Sequence, residues 1–187
     1  ELALLFAHDS NAFNRWEAGQ EIATRKLLSL AQAWRESGAI SALDPSFSKS
    51  WSAALCDLSI EAGYRARLLS LPPGDSVTAR MECMDPLAVL EVRTALRNQL
   101  GTTYATALLD TYNANLTPGP YSPSPGPAGK RALKGLALSF LMAAQNSDAK
   151  TLAWDQFTHA TNMTDRMSAF QSLIFEGSRD ISTAAIT

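Results

Sequence analysis

Residues 9–38, DSNAFNRWEAGQEIATRKLLSLAQAWRESG, form the longest amphipathic segment of this 187-residue chain. The side chains that mark one face recur at alternating spacings of three and four residues, at Phe13, Trp16, Gln20, Ala23, Leu27, Leu30 and Trp34. Such spacing is typical of one face of an α-helix. Asp9, Ser10 and Asn11 are N-cap candidates, and Gly38 stands where helices commonly end. The segment therefore predicts one long helix of about six turns.

The rest of the chain continues as helices joined by short breaks. Helical periodicity predicts further helices at 48–57, 60–71, 76–82, 86–115, 130–145, 149–160 and 163–176. Gly101 and Thr102 are expected to kink or break one of them, and the proline-rich residues 117–129 to form an irregular surface loop. Because short loops favour antiparallel neighbours, the sequence predicts an all-α fold of helix pairs stacked as an ARM/HEAT-like α-solenoid.

Two local patterns leave room for interpretation. Residues 2–7 are an apolar run that reads either as one strand or as a lead-in to the long helix. Asn162 is expected to cap the last helix, with Asp165 in its first turn in the manner of a capping box. Met163, Met167, Phe170 and Ile174 are then expected to form the apolar, inward face of that helix.

Composition limits the function classes. Charged residues make up 18% of the chain, which is low for a protein whose whole surface faces water. Part of the surface is therefore expected to be covered in the native molecule. The net charge of −2 gives no footprint for nucleic acid or an anionic membrane. No apolar run reaches the ~18 residues of a membrane helix and no signal peptide is present, so we expect a cytoplasmic protein. Cys56 and Cys83 are expected to be reduced and buried.

The sequence holds little of the chemistry that enzymes need. Its two histidines, His8 and His159, lie in no H-E-x-x-H or other ligand spacing, and there is no nucleophile elbow or phosphate-binding loop. We therefore predict no catalytic residue, no metal ligand and no cofactor in this chain. The basic clusters, Lys130-Arg131 with Lys134 and Arg65 with Arg67, are expected to be solvated helix faces.

One motif carries a family resemblance. Residues 8–20, HDSNAFNRWEAGQ, closely resemble a signature of bacterial aminopeptidase N, a family of gluzincin zinc aminopeptidases. Residues 85–89 (DPLAV), 91–93 (EVR), 112–115 (YNAN) and 162–166 (NMTDR) are similar to further segments, in the family's order. The resemblance covers nearly the whole chain and places it in the C-terminal helical domain of such proteins.

The resemblance implies a function for the parent enzyme. Such proteins remove N-terminal residues from peptides with a zinc ion held by H-E-x-x-H and a further Glu, all in an earlier domain. The helical domain closes over the catalytic cleft and limits substrate access. Its partners are the catalytic domain of the same polypeptide and the peptide substrates. On this interpretation residues 1–8 end a preceding β-sandwich domain, and 9–187 are the N-terminal part of a truncated helical domain.

Two residues inherit a substrate-binding role from the resemblance. The family's helix that opens with Asn-Met-Thr-Asp-Arg faces the catalytic chamber, so Arg166 is expected to meet the far end of a peptide, with Asn162 beside it. A guanidinium suits a carboxylate because two N–H donors match its two oxygens. The alternative is an exposed arginine that pairs with Asp165 or with a neighbouring helix.

A second function class stays open, a stand-alone helical-repeat scaffold that binds other proteins. Repeat proteins usually carry polar capping units at both ends. The apolar residues 2–7 argue against such a cap. The reading frame decides between the two: an upstream H-E-x-x-H favours the aminopeptidase, and an initiator Met close to Glu1 favours the scaffold.

Overall fold

The computed structural model describes residues 2–176 and Ala185, and within them every regular element is an α-helix. The ten helices are α1 (Leu2–His8), α2 (Ala12–Ser37), α3 (Pro45–Cys56), α4 (Ala62–Leu69), α5 (Gly74–Thr78), α6 (Pro86–Thr103), α7 (Ala105–Ala114), α8 (Pro125–Ala143), α9 (Ser147–His159) and α10 (Met163–Glu176). The predicted all-α class is confirmed. The predicted Gly177 terminus of α10 lies outside the described residues.

The first element corrects an expectation. Residues 2–7, predicted as a possible strand, lie in the helix α1. The run Leu-Ala-Leu-Leu-Phe-Ala contains no β-branched residue and is rich in strong helix formers. Phe6 is buried against α2, where a Cβ on Gly19 would lie 2.6 Å from the Phe6 ring. Arg15 Nε also donates to the Phe6 carbonyl at 2.8 Å. The assignment of residues 1–8 to a preceding domain stays a prediction.

The long helix α2 begins and ends as predicted. Asn11 Oδ1 accepts the backbone N–H groups of Phe13 and Asn14 at 2.9 and 3.2 Å. Gly38 adopts φ +69°, and its N–H donates to the Trp34 carbonyl. The predicted apolar face is right only from its middle onward, because Ala23, Leu27 and Leu30 are buried whereas Phe13 is 62% exposed and Trp16 37%. The first turns of α2 therefore present large apolar side chains at the surface.

The helices form two compact units, each with its own core. The first comprises Glu1–Asp57 and Arg67–Gln99. Its core includes Leu27, Leu55 and Leu69 together with Trp51, whose indole N–H donates to the Leu69 carbonyl at 3.1 Å. At its surface Arg80 holds both carboxylate oxygens of Glu21. Hydrogen bonds from Arg80 and Arg25 lower the pKa of Glu21 to about 2.

The second unit comprises Leu58–Ala66 and Leu100–Thr187. Within it the end of α6 packs closely against α8 at Gly101. Gly101 and Thr102 were expected to kink or break their helix, and the break lies just beyond them, because α6 ends at Thr103 and α7 begins at Ala105. A Cβ at Gly101 would overlap the Phe140 carbonyl oxygen and lie 2.9 Å from Ala144 Cβ. Gly101 itself lies inside α6, at a position where the α8 backbone leaves no room for a Cβ.

The proline-rich segment is only partly irregular. α8 begins at Pro125, so residues 125–129 are helical, and the prediction of a loop over 117–129 is wrong for them. A proline in the first turn of a helix costs little, because the N–H groups there have no partner within the helix. Pro125 and Pro127 both lie in this first turn of α8. The shortened loop leads directly into the first turns of α8.

Candidate functional site

The start of α10 carries the two residues predicted to bind substrate. Asn162 Oδ1 accepts the backbone N–H of Asp165 at 2.9 Å, and Asn162 Nδ2 donates to Asp165 Oδ2 at 2.9 Å. The first bond confirms Asn162 as the predicted N-cap. The second differs from a capping box, in which Asp165 would accept the Asn162 backbone N–H. The two bonds fix the Asn162 amide, which leaves one of its two N–H groups for another acceptor.

Arg166 lies on the exposed side of α10. Its Nη2 donates to the Ala160 carbonyl at 2.9 Å. Of the two alternatives, a pair with Asp165 is not formed, because Asp165 lies 2.9 Å from a different cation, Lys134. The other, a partner on a neighbouring helix, agrees with the bond to Ala160, the C-cap residue of α9. Arg166 shares its helix face with two methionines, Met163 at 68% exposure and Met167 at 42%. The site at α10 is thus a guanidinium set among exposed apolar side chains.

The exposure of these methionines corrects the predicted orientation of α10. Asp165, Ala169, Ser172 and Leu173 are buried in place of Met163 and Met167. Asp165 is buried where it pairs with Lys134. Ala169, Ser172 and Leu173 lie on the same face of α10 and are buried with it. The spacing of the apolar residues could not predict this orientation, because it carries no information about an ion pair with another helix.

A buried ion pair joins α8 and α10. Lys134 Nζ lies 2.9 Å from Asp165 Oδ1, and the two side chains are only 6% and 8% exposed. The contact is Coulombic, because its direction is poor for a hydrogen bond and Oδ1 has no hydrogen-bond partner among the described residues. Lys134 was expected on a solvated face, and so were Arg131 and Arg65, but all three are buried. Only the expectation for Lys130 and Arg67 is right, since both are exposed.

Two neutral side chains extend this buried cluster to α7 and α9. The Tyr112 hydroxyl donates to Gln156 Oε1 at 2.9 Å, and Gln156 Nε2 donates to the Asp165 backbone carbonyl at 2.8 Å. Burial raises the pKa of Tyr112 to about 12, assisted by the negative charges of Asp165 and Asp155. The phenol therefore stays protonated and acts as a donor.

A cleft of about 410 Å³ opens next to this cluster. It lies between residues 116–122 and the first turns of α8, and Asn162 reaches its wall. Its basic residues are Lys130 and Arg131; we refer to it as the Arg131 cleft. Arg131 Nη2 donates to the Ser122 carbonyl at 2.7 Å, and its guanidinium lies 4.7 Å from the centre of the Tyr121 ring. Arg166 is not among the residues that line this cleft, so the structure does not bring the two predicted residues into it together.

The described residues do not fit a zinc site. No group of three His, Cys, Asp or Glu side chains in residues 2–176 is placed to hold a metal ion. His8 and His159 are both exposed, and His159 Nδ1 lies 3.1 Å from the Asp155 carbonyl. Cys56 and Cys83 are free thiols as expected, but they are exposed where burial was predicted. No helix among the described residues is long and apolar enough to cross a membrane.

The sequence around Arg131 and Lys134 indicates that both side chains are buried. Both lie on the stripe of Leu138 and Leu141, at spacings of three, four and three residues. Leu138 and Leu141 are buried, so the stripe predicts burial of the two cations as well. Nothing in the sequence identifies their partners, because Asp165 lies on another helix and Ser122 lies in the loop before α8.

Comparisons with known proteins point to one family. The chain is 33% identical over 175 residues to aminopeptidase N of Escherichia coli (strain K12), and 28% identical over 175 residues to that of Caulobacter vibrioides. It also resembles the crystal structure of Legionella pneumophila aminopeptidase A in complex with aspartic acid, with a TM-score of 0.78 and 25% identity over 98% of this chain.

The extent of these matches is as informative as their strength. Each aminopeptidase N match covers 93% of this chain and 20% of the relative, and the structural match covers 22% of the Legionella chain. This chain therefore spans about a fifth of the length of the proteins it matches. The predicted resemblance to bacterial aminopeptidase N is confirmed.

A family model identifies the fold independently of single relatives. It matches residues 1–186 and describes ARM repeats, which confirms the predicted helical-repeat class. The chain belongs to the family described as "Domain of unknown function (DUF3458_C) ARM repeats".

Proposed function

We propose that this chain is a non-catalytic helical domain of a zinc-dependent aminopeptidase. The observation that carries the proposal is the uneven coverage, nearly all of this chain against about a fifth of each relative. On this proposal the chain is one domain of a polypeptide about five times its length, and it contributes a surface to that protein. The zinc ion and the groups that cleave the peptide belong to the rest of the polypeptide. The cytoplasmic location stays a prediction.

Each unit has a surface suited to a contact with the catalytic domain. In the first unit Leu4 and Phe13 are more than half exposed. In the second unit Met163 and Phe175 on α10 are exposed to 68% and 77%. Large apolar side chains at a surface commonly mark contacts with another protein or domain. We infer that these residues meet the catalytic domain and that the helical domain limits access to its cleft.

Asn162 and Arg166 are the residues that we propose to meet the substrate. The Arg166 guanidinium donates one hydrogen bond to the Ala160 carbonyl, and its other N–H groups remain available at the surface. The neighbouring methionines Met163 and Met167 add an adaptable apolar surface. This combination suits the carboxylate end of a peptide that extends away from the cleavage site.

The reading frame gives the first test of the domain proposal. We expect the polypeptide that contains this chain to carry an H-E-x-x-H segment and a further Glu upstream of Glu1. Those residues supply the zinc ligands and the general base that peptide hydrolysis needs. A frame that opens with an initiator Met close to Glu1, and contains no such segment, would favour the stand-alone scaffold instead.

Substitution of Arg166 tests the substrate role. In the full polypeptide, Arg166→Ala should lower kcat/KM for a tripeptide with a free carboxylate about five- to tenfold, because a charge-assisted hydrogen bond is lost. Hydrolysis of an aminoacyl amide, which has no distant carboxylate, should be unchanged. Arg67→Ala, at an exposed arginine of α4, is the matched control. An equal effect on the tripeptide and the amide would disprove the role of Arg166.

A further inference from the structure

We propose that the Arg131 cleft is a binding site for a carboxylate, centred on Arg131 and not on Arg166. The site consists of a buried guanidinium, an exposed ammonium and the N-terminal end of a long helix. The proposal does not depend on the aminopeptidase assignment, because it rests only on residues of the second unit.

Arg131 is the central observation. The residue is only 4% exposed, and its Nε has no hydrogen-bond partner among the described residues. No carboxylate in that part of the chain forms an ion pair with it either, so its charge is offset only by the Ser122 carbonyl and the Tyr121 ring. A buried cation without a counter-ion is costly unless one is supplied. An anion in the cleft would supply it.

The other walls of the cleft favour the same charge. Lys130 lies beside Arg131 on an exposed position, and no acidic side chain lines the cleft. The 19-residue helix α8 begins here, and Ser124 at its N-cap makes no side-chain capping hydrogen bond. Because Pro125 and Pro127 have no N–H, the first turn offers an acceptor in the cleft the backbone N–H of Gly126. The Asn162 amide keeps one N–H group for an acceptor.

The shape of the cleft selects an organic acid over a small inorganic anion. Pro118, Pro120 and Tyr121 give it apolar walls, and about 410 Å³ is far more than one anion fills. A planar guanidinium matches the two oxygens of a carboxylate. The carboxylate belongs either to the C-terminal end of a peptide or to a small free acid, and both sources share this recognition chemistry.

Binding is tested on the full 187-residue chain by nuclear magnetic resonance. The ¹⁵N-labelled chain is titrated with acetyl-triglycine bearing a free carboxylate, with the same peptide as its C-terminal amide, and with sodium acetate. We expect saturable shifts for Gly119, Tyr121 and Arg131 with the free acids and none with the amide. Tighter binding of the peptide acid identifies a peptide end, and equal binding of acetate identifies a free acid.

Substitutions test whether the proposed side chains are the ones that bind the carboxylate. Arg131→Lys should weaken the dissociation constant at least about tenfold, because the planar pair of donors is lost. Lys130→Gln at the exposed neighbour should weaken it about two- to fivefold, and remains informative if Arg131 variants do not fold. Lys49→Gln, an exposed lysine of α3, should have no effect. Equal shifts with acid and amide, or unchanged affinity in Lys130→Gln, would overturn the proposal.

Discussion

Asp165→Ala should lower the free energy of unfolding by about 3–5 kcal/mol, because it leaves the Lys134 ammonium buried without a counter-ion. The pair is 2.9 Å apart, with both side chains less than a tenth exposed, so water does not replace the lost carboxylate. The substitution also removes the acceptor of the Asn162 amide at the start of α10. Urea denaturation followed by circular dichroism measures the effect.

A double variant separates the ion pair from the fold around it. Combining Lys134→Met with Asp165→Leu removes both charges, and the free energy of unfolding should return most of the way to that of the parent chain. Asp110→Ala, at an exposed carboxylate on α7, should change it by no more than about 0.5 kcal/mol. A loss below about 1 kcal/mol in Asp165→Ala would show that the pair is not shielded from water.

Gly101→Ala should destabilise the chain by about 3 kcal/mol, against the usual gain when alanine replaces a glycine inside a helix. The added methyl group would overlap the Phe140 carbonyl oxygen and approach Ala144 Cβ to 2.9 Å. A backbone carbonyl has no alternative rotamer, so α6 and α8 must move apart. The shift of the urea midpoint gives the measurement.

Gly74→Ala is the control for this contact. Gly74 also lies in a helix, α5, and its Cβ position makes only an ordinary contact, 3.8 Å from Val89 Cγ1. Its replacement should change stability by no more than about 1 kcal/mol. If Gly101→Ala behaved like Gly74→Ala, the close approach of α6 and α8 would be wrong.

The features that were predictable from the sequence are those fixed by local chemistry. Asn11 and Gly38 delimit α2 because a side-chain acceptor and a left-handed residue satisfy the free backbone groups at helix ends. Asn162 and Asp165 likewise identify the start of α10. The family resemblance then added what spacing alone does not contain, the expectation of a larger enzyme whose catalytic groups lie in another domain.

The features that were mispredicted depend on distant partners. Lys134 is buried because Asp165, on another helix, neutralises it, and α10 turns its methionines outward for the same reason. The sequence places a helix break near Gly101, but it does not show that the α8 backbone lies against this residue. Residues 2–7 read as a strand only if a neighbouring sheet is assumed, whereas α1 packs on α2 through Phe6.

Zinc content and peptide hydrolysis, measured side by side on the whole parent polypeptide and on residues 1–187 alone, test the central claim most directly. We predict that the whole polypeptide binds zinc and releases N-terminal residues from a peptide. The 187-residue chain, shown by circular dichroism to be folded, should do neither, because we propose that its helices only limit access to a reaction centre in another domain. Hydrolysis of an aminoacyl substrate by the isolated chain, or a stoichiometric divalent ion bound to it, would contradict this account.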